Sequence, residues 1–196
     1  MRKKHNWLKK NYSECWNFIK DSKKFIYSII FIFLFFALIG FFVPVPSNVY
    51  DALMQLIEEL LAQTEGLSTF GLIKFIFLNN LQSSFLGLIF GLIFGIFPFF
   101  SALMNGYLLG FVANMSVSSA GVLSLWQLLP HGIFELPAVF ISLGFGLRLG
   151  FGIFNKTERK NFKENFSLSL KTFFFVVFPL LVIAAFIEGF LIFFLK

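Results

Sequence analysis

The chain has 196 residues, of which 58% are hydrophobic and 13% charged, with 33 phenylalanines and a formal net charge of +6. So little charge cannot cover a water-facing surface, and the apolar runs exceed what a soluble core needs, which excludes an ordinary soluble domain. The basic excess does not point to nucleic acid, because Lys and Arg gather at the two segments 2–24 and 156–171 that flank apolar runs.

Residues 1–24 read as a basic cytoplasmic juxtamembrane tail. This stretch is too long and too aromatic for the head of a signal peptide, and no small-residue cleavage site follows it, so the first apolar run is expected to remain in the mature chain. Leu8, Tyr12, Cys15, Trp16 and Ile19 recur at helical spacing between lysines, which suits a helix resting on anionic headgroups. Cys15 is the single cysteine, which excludes an intramolecular disulfide and a Cys-based metal cluster.

Residues 25–196 read as a single integral membrane domain of the all-α class: a polytopic transmembrane helical bundle of about five crossings. The first crossing is predicted at 25–43, stopped by Pro44 and Pro46. Residues 44–66 then carry Asp51, Glu58, Glu59 and Glu65 without a basic residue, which suits the outer side. Within them an outer amphipathic helix is predicted at about 48–65, with Leu53, Leu56, Ile57, Leu60 and Leu61 on its apolar face. The second crossing occupies much of 70–97, Pro98 marks a turn, and the third and fourth follow at 99–115 and 126–151. A basic cytoplasmic loop at about 155–171 precedes a fifth at 172–194. Both basic segments inside require an even number of crossings between them, which places the N-terminus in the cytoplasm and the C-terminus outside, in a multi-pass plasma-membrane protein.

Small residues predict how the helices pack. Gly87, Gly91 and Gly95 repeat every four positions, as do Gly106 and Gly110, and Gly146 and Gly150. Each lets another helix approach closely, within the chain or in a second copy.

The most informative stretch is LPHGIFELPA at 129–138. Residues 75–134 contain no Asp, Glu, Lys or Arg, so Glu135 ends a charge-free run long enough for two crossings. A carboxylate at membrane depth is a functional-site hypothesis by default. Counted from Trp126 at 1.5 Å per residue, Glu135 lies ~13 Å below the outer surface, and Glu188 counted from Lys196 lies ~12 Å below it. Asn80 falls near that level, Asn105 lies closer to the midplane, and His131 stands one turn above Glu135. Pro137 removes the N–H that would bond the carbonyl of Ile133 and is expected to break the helix there. Asn80, Asn105, His131, Glu135 and Glu188 are therefore expected to form a buried polar cluster. It is either a functional centre or a set of hydrogen bonds that fixes helix register with neutral carboxyls.

No catalytic, cofactor-binding or metal-ligating set is expected. His131 and Glu135 with Glu188 are poorer in histidine than catalytic zinc sites usually are. Ser101 and Ser142 lack a GxSxG context, and GFGLRLGFG at 144–152 lies in an apolar crossing rather than after a strand.

LPHGIFELPA, with FLNN at 77–80, MNGYLLG at 104–110 and LLVIAAFIEGF at 180–190, resembles the stage II sporulation protein M family of integral membrane proteins. The resemblance covers about 70–190, with Asn105, His131, Glu135, Pro137 and Glu188 on the family pattern. It implies a membrane scaffold for cell-wall-degrading partners in the namesake branch, and relatives in organisms that do not sporulate. The expected partners are the lipid bilayer, membrane or envelope proteins and further copies of the chain, with no nucleic acid. A non-enzymatic scaffold or assembly factor is the leading functional expectation. The alternative is a transporter or permease component that couples protons or cations through its intramembrane carboxylates. Five helices without an evident inverted repeat are few for a monomeric carrier.

Overall fold

A computed structural model describes residues 2–194, the side chains of 2–6, 127–131, 134 and 189–194 excepted. Every regular element among the described residues is helical. The chain begins with α1 (Arg2–Asp21), bends at Ser22 and continues into α2 (Lys23–Phe42). Pro44 and Pro46 end α2, with Val43 already extended as the residue before a proline prefers. Next come α3 (Ser47–Thr64) and α4 (Thr69–Phe90), the latter opened by Ser68, whose Oγ accepts from the Gly71 N–H at 3.2 Å. A tight turn at 91–95 leads into α5 (Ile96–Ala120), and a 3-10 segment (Val122–Leu128) leads into α6 (Leu129–Gly152). The chain ends with α7 (Lys156–Lys160), α8 (Phe162–Thr172), a π-helical turn (Phe173–Val177) and α9 (Phe178–Phe194).

Five segments are long and apolar enough to cross a membrane: Lys23–Phe42, Thr69–Phe90, Ile96–Ala120, Glu135–Gly152 and Phe162–Glu188. The number agrees with the sequence pattern, but several boundaries move. The second crossing stops at Phe90 rather than near 97, because Phe94 (φ 53°) and Gly95 (φ 70°) turn the chain in the left-handed region. Pro98 is not in that turn. It sits three residues into α5, where a missing N–H is tolerated because first-turn donors have no helical acceptor.

The basic segment 155–171, expected as a loop, is helical as α7 and α8. Asn155 nucleates α7, its Oδ1 accepting from the backbone N–H of Thr157 at 2.9 Å and of Glu158 at 3.3 Å. The fifth apolar helix therefore starts at Phe162, ten residues before the expected 172. Pro179 follows the π-helical turn, and the Phe178 N–H reaches back to the Phe173 carbonyl. The wider turn accommodates the donor that the proline removes. Pro137 does not break α6, which runs through it: one lost bond is tolerated where the flanking turns stay paired.

α6 is the centre of the bundle, packed by α2, α4, α5 and α9, and every residue from 142 to 150 is buried. The main core joins Phe145 and Leu149 of α6 to Leu88, Phe173, Val177 and Leu181. Glycine sets the close approaches. A Cβ on Gly106 or Gly110 would collide with the backbone carbonyls of Phe33 or Ala37 in α2, and one on Gly40 with that of Tyr107 in α5. Between α4 and α6, Gly91 abuts the backbone of Gly146, Gly146 abuts the Gly87 carbonyl, and Gly150 abuts Gly91 and Gly95. These glycines are used within one chain.

The stripe of α1 expected to rest on lipid headgroups is largely exposed, and a neighbouring stripe faces the protein. Asn11, Cys15, Phe18 and Ser22 are buried, whereas Leu8, Tyr12 and Trp16 are exposed. α1 packs on α8, and of the expected lipid-facing stripe only Cys15 is buried.

Candidate functional site

The N-terminal half of α6 lines a cleft of 620 Å³. Leu108, Leu109 and Val112 of α5 form the opposite wall, Phe33 of α2 the floor, and Leu125 of the 3-10 segment one rim. Two polar residues of the expected cluster line it, Glu135 and Asn105. Glu135 is only 7% exposed, although it belongs to the cleft wall. Asn105 is exposed and so is not part of a buried centre: its Nδ2 donates to the Ser101 carbonyl at 2.7 Å and to the Ser101 Oγ at 3.3 Å. Spacing alone misplaced it, because α5 offers Ala102 and Gly106, not Asn105, to the interior.

Of the other members, Asn80 and Glu188 lie on helices packed against α6. Asn80 is half-buried on α4, and Glu188 is half-buried on α9, which packs against both α4 and α6. Neither lines the cleft. The side chain of His131 lies outside the described residues. Among the described residues, no three His, Cys, Asp or Glu side chains converge. A carboxyl in an apolar cleft can make one or two directional hydrogen bonds to a polar group that enters among apolar contacts, which is recognition chemistry.

The C-terminal end of α6 holds a second polar centre that the sequence reading passed over. Arg148 is 9% exposed; its Nε and Nη2 donate to Glu158, its Nη1 donates to the Ser22 Oγ at 2.9 Å, and its guanidinium lies 4.9 Å from the ring centre of Phe18. Glu158 also accepts from Asn165 Nδ2 at 2.7 Å. This knot ties the α1–α2 bend, α6, α7 and α8 together. The signal was present in the chain: Arg148 is the only Lys or Arg between Lys74 and Lys156, and Glu158 is an acid inside a basic segment. Ten residues separate the two in sequence, and only the helical fold of 156–172 brings them together.

A family profile described as stage II sporulation protein M matches residues 29–191. The chain belongs to that family. The matched span runs from α2 into α9, reaching further toward the N-terminus than the blocks at 70–190, and leaves α1 outside it. This family member is also 33% identical over 116 residues to an uncharacterised protein of the archaeon Methanocaldococcus jannaschii. That alignment covers 56% of this chain and 65% of the relative, so the chain spans about two thirds of the length of the curated relative it matches. No solved structure matches it. Family membership and five candidate spans make this an integral, multi-pass membrane protein of the stage II sporulation protein M type.

Proposed function

We propose that the chain is a non-enzymatic membrane scaffold or assembly factor for a membrane- or envelope-remodelling complex. It sits in the plasma membrane with its N-terminus cytoplasmic and its C-terminus outside. The orientation rests on the basic residues of α1, α7 and α8, which lie at the end of the bundle where Arg148 is held. A cysteine introduced at Glu59 should react with an impermeant reagent in intact cells, and one at Lys160 should not; the reverse pattern would overturn this topology. Native Cys15 is fully buried and need not be replaced.

The observation that carries the functional reading is the complete burial of residues 142–150. Glu135 and Arg148 stand ~20 Å apart along α6 at 1.5 Å per residue, and the inner part of that stretch is sealed by glycine-to-backbone contacts and apolar side chains. Moving a charge through such a dry region costs several kcal/mol without water or partners. A rigid bundle with a recognition cleft suits holding a partner better than conducting an ion.

The transporter reading is favoured by one feature, a carboxyl in an open cleft. Sealed vesicles containing the purified chain separate the two. A scaffold gives no proton or cation flux above that of empty vesicles, whereas reproducible flux abolished by Glu135→Gln would overturn the scaffold reading.

A further inference from the structure

A second groove, of 410 Å³, runs from α1 onto the start of α9. Its walls are Tyr12 and Trp16 of α1 and, across from them, Phe175, Pro179, Leu180 and Ile183. Tyr12 meets the Phe175 ring edge-on at 5.7 Å, and Trp7 packs on the same ring at 5.9 Å, so α1 is held against the π-helical turn by aromatic contacts. The groove nevertheless leaves Tyr12 and Trp16 about half exposed.

Charge frames this apolar slot. Lys9, Tyr12, Trp16 and Lys20 follow one another at helical spacing on one face of α1, and Lys20 Nζ lies 5.4 Å from the centre of the Trp16 ring. Lys10, Lys23 and Lys24 are exposed nearby. Of the acids on α1, Glu14 is engaged by Lys171 and lies 3.9 Å from Lys10, and Asp21 ends the helix. The free charge at the groove mouth is therefore positive.

An occupant must be soluble in the bilayer, because one wall is a membrane-spanning helix, and it must carry negative charge where it meets α1. We propose that this groove binds an anionic phospholipid, with an acyl chain along Phe175 to Ile183 and its phosphate between Lys9 and Lys20. The volume lies within the roughly 300–1,000 Å³ of ordinary ligand sites. Aromatic rings and lysines at an interface are the usual means of holding such a headgroup. The site would anchor α1, which lies outside the family match, to the leaflet in which it rests. It does not depend on the function of the Glu135 cleft.

The test uses the full chain in mild detergent, titrated with phosphatidylglycerol or phosphatidylcholine and read by native mass spectrometry of retained lipid. Wild type should retain phosphatidylglycerol preferentially. The exposed double variant Lys9→Gln/Lys20→Gln should fold normally and lose that preference, by about fivefold for each lysine removed. Ile183→Trp, which fills the apolar slot, should weaken retention of both lipids. Equal retention of the two lipids by wild type, or an undiminished preference in the double variant, would overturn the proposal. Competition by glycerol phosphate as effective as that by the lipid would also overturn it, because it would leave only a site for free phosphate.

Discussion

Arg148 and Glu158 meet fork to fork, with Nε to Oε2 at 3.1 Å and Nη2 to Oε1 at 3.2 Å. The geometry needs a planar guanidinium, and its third donor position is used on Ser22, so one side chain fixes the bend before α2 and the end of α6 together. α6 carries Arg148 as the last charge of its buried face, and α7 is positioned to neutralise it.

Removing the acid should leave a buried cation without its counter-charge. Breaking a fully buried pair costs about 3–5 kcal/mol, and because the Glu158 side chain is 25% exposed, water should reduce the loss in Glu158→Gln to about 2 kcal/mol. Arg148→Lys keeps the charge but loses the bidentate fit and the reach to Ser22, and should fall between wild type and Glu158→Gln. Thermal unfolding in detergent measures both. A Glu158→Gln protein as stable as wild type would show that the pair does not hold this end of the bundle together.

Gly110 tests the close contact between α2 and α5. A methyl group there would enter the space of the Ala37 carbonyl and the Phe41 N–H, both backbone atoms that cannot swing aside. Gly110→Ala should therefore destabilise by about 1–3 kcal/mol, the usual cost of overpacking. Gly71 is the matched control: a Cβ there meets only Leu67 and Ser68 atoms at 3.4 Å or beyond, so Gly71→Ala should be neutral or gain up to about 1 kcal/mol of helix propensity. Equal melting temperatures for the two variants would contradict the packing described.

The helices and their glycine seams could be read from the chain because hydropathy and four-residue spacing are local patterns. Gly40 was missed because it lacks a spaced partner of its own; its role exists only against Tyr107. Position along a helix could be estimated by counting, but azimuth could not. Asn105 is therefore exposed where burial was expected, and in the stripe Leu8, Tyr12, Cys15 and Trp16, expected at the lipid surface, Cys15 alone is buried. The Arg148 knot depended on 155–171 being helical, and its lysines and polar residues hid that from an apolar-run reading.

The contact between α1 and α8 should respond to acid. The Lys171 ammonium donates to Glu14 and holds its carboxyl below the ordinary value of 4.5, with desolvation opposing and the charges of Lys171 and Lys10 assisting. A depressed carboxyl contributes stability that is present above the ordinary value and is lost as pH falls through the depressed one. Hydrogen exchange in α1 should therefore accelerate as pH falls below 4.5, while exchange in α6 stays slow. Glu14→Gln should show faster exchange in α1 near neutrality and little further change with acid. An α1 whose protection is independent of pH in wild type would remove this pair from the account.

Glu135 decides whether the outer polar residues act as a unit. Its carboxyl is almost fully enclosed in the cleft wall, where a polar group is stable only when hydrogen-bonded. Glu135→Gln preserves shape and hydrogen bonding and should leave folding nearly unchanged. Glu135→Leu strands a polar partner and should cost about 1–3 kcal/mol. The same pair of substitutions at Glu188 completes a double-mutant cycle. Residues in one network couple by about 0.5–3 kcal/mol, and independent ones add within about 0.5 kcal/mol. Coupling between Glu135→Leu and Glu188→Leu, measured by thermal unfolding, is the expected result. Additive losses would mean that the two carboxyls stabilise separate helix contacts, and equal tolerance of Gln and Leu at position 135 would mean that no polar cluster exists there.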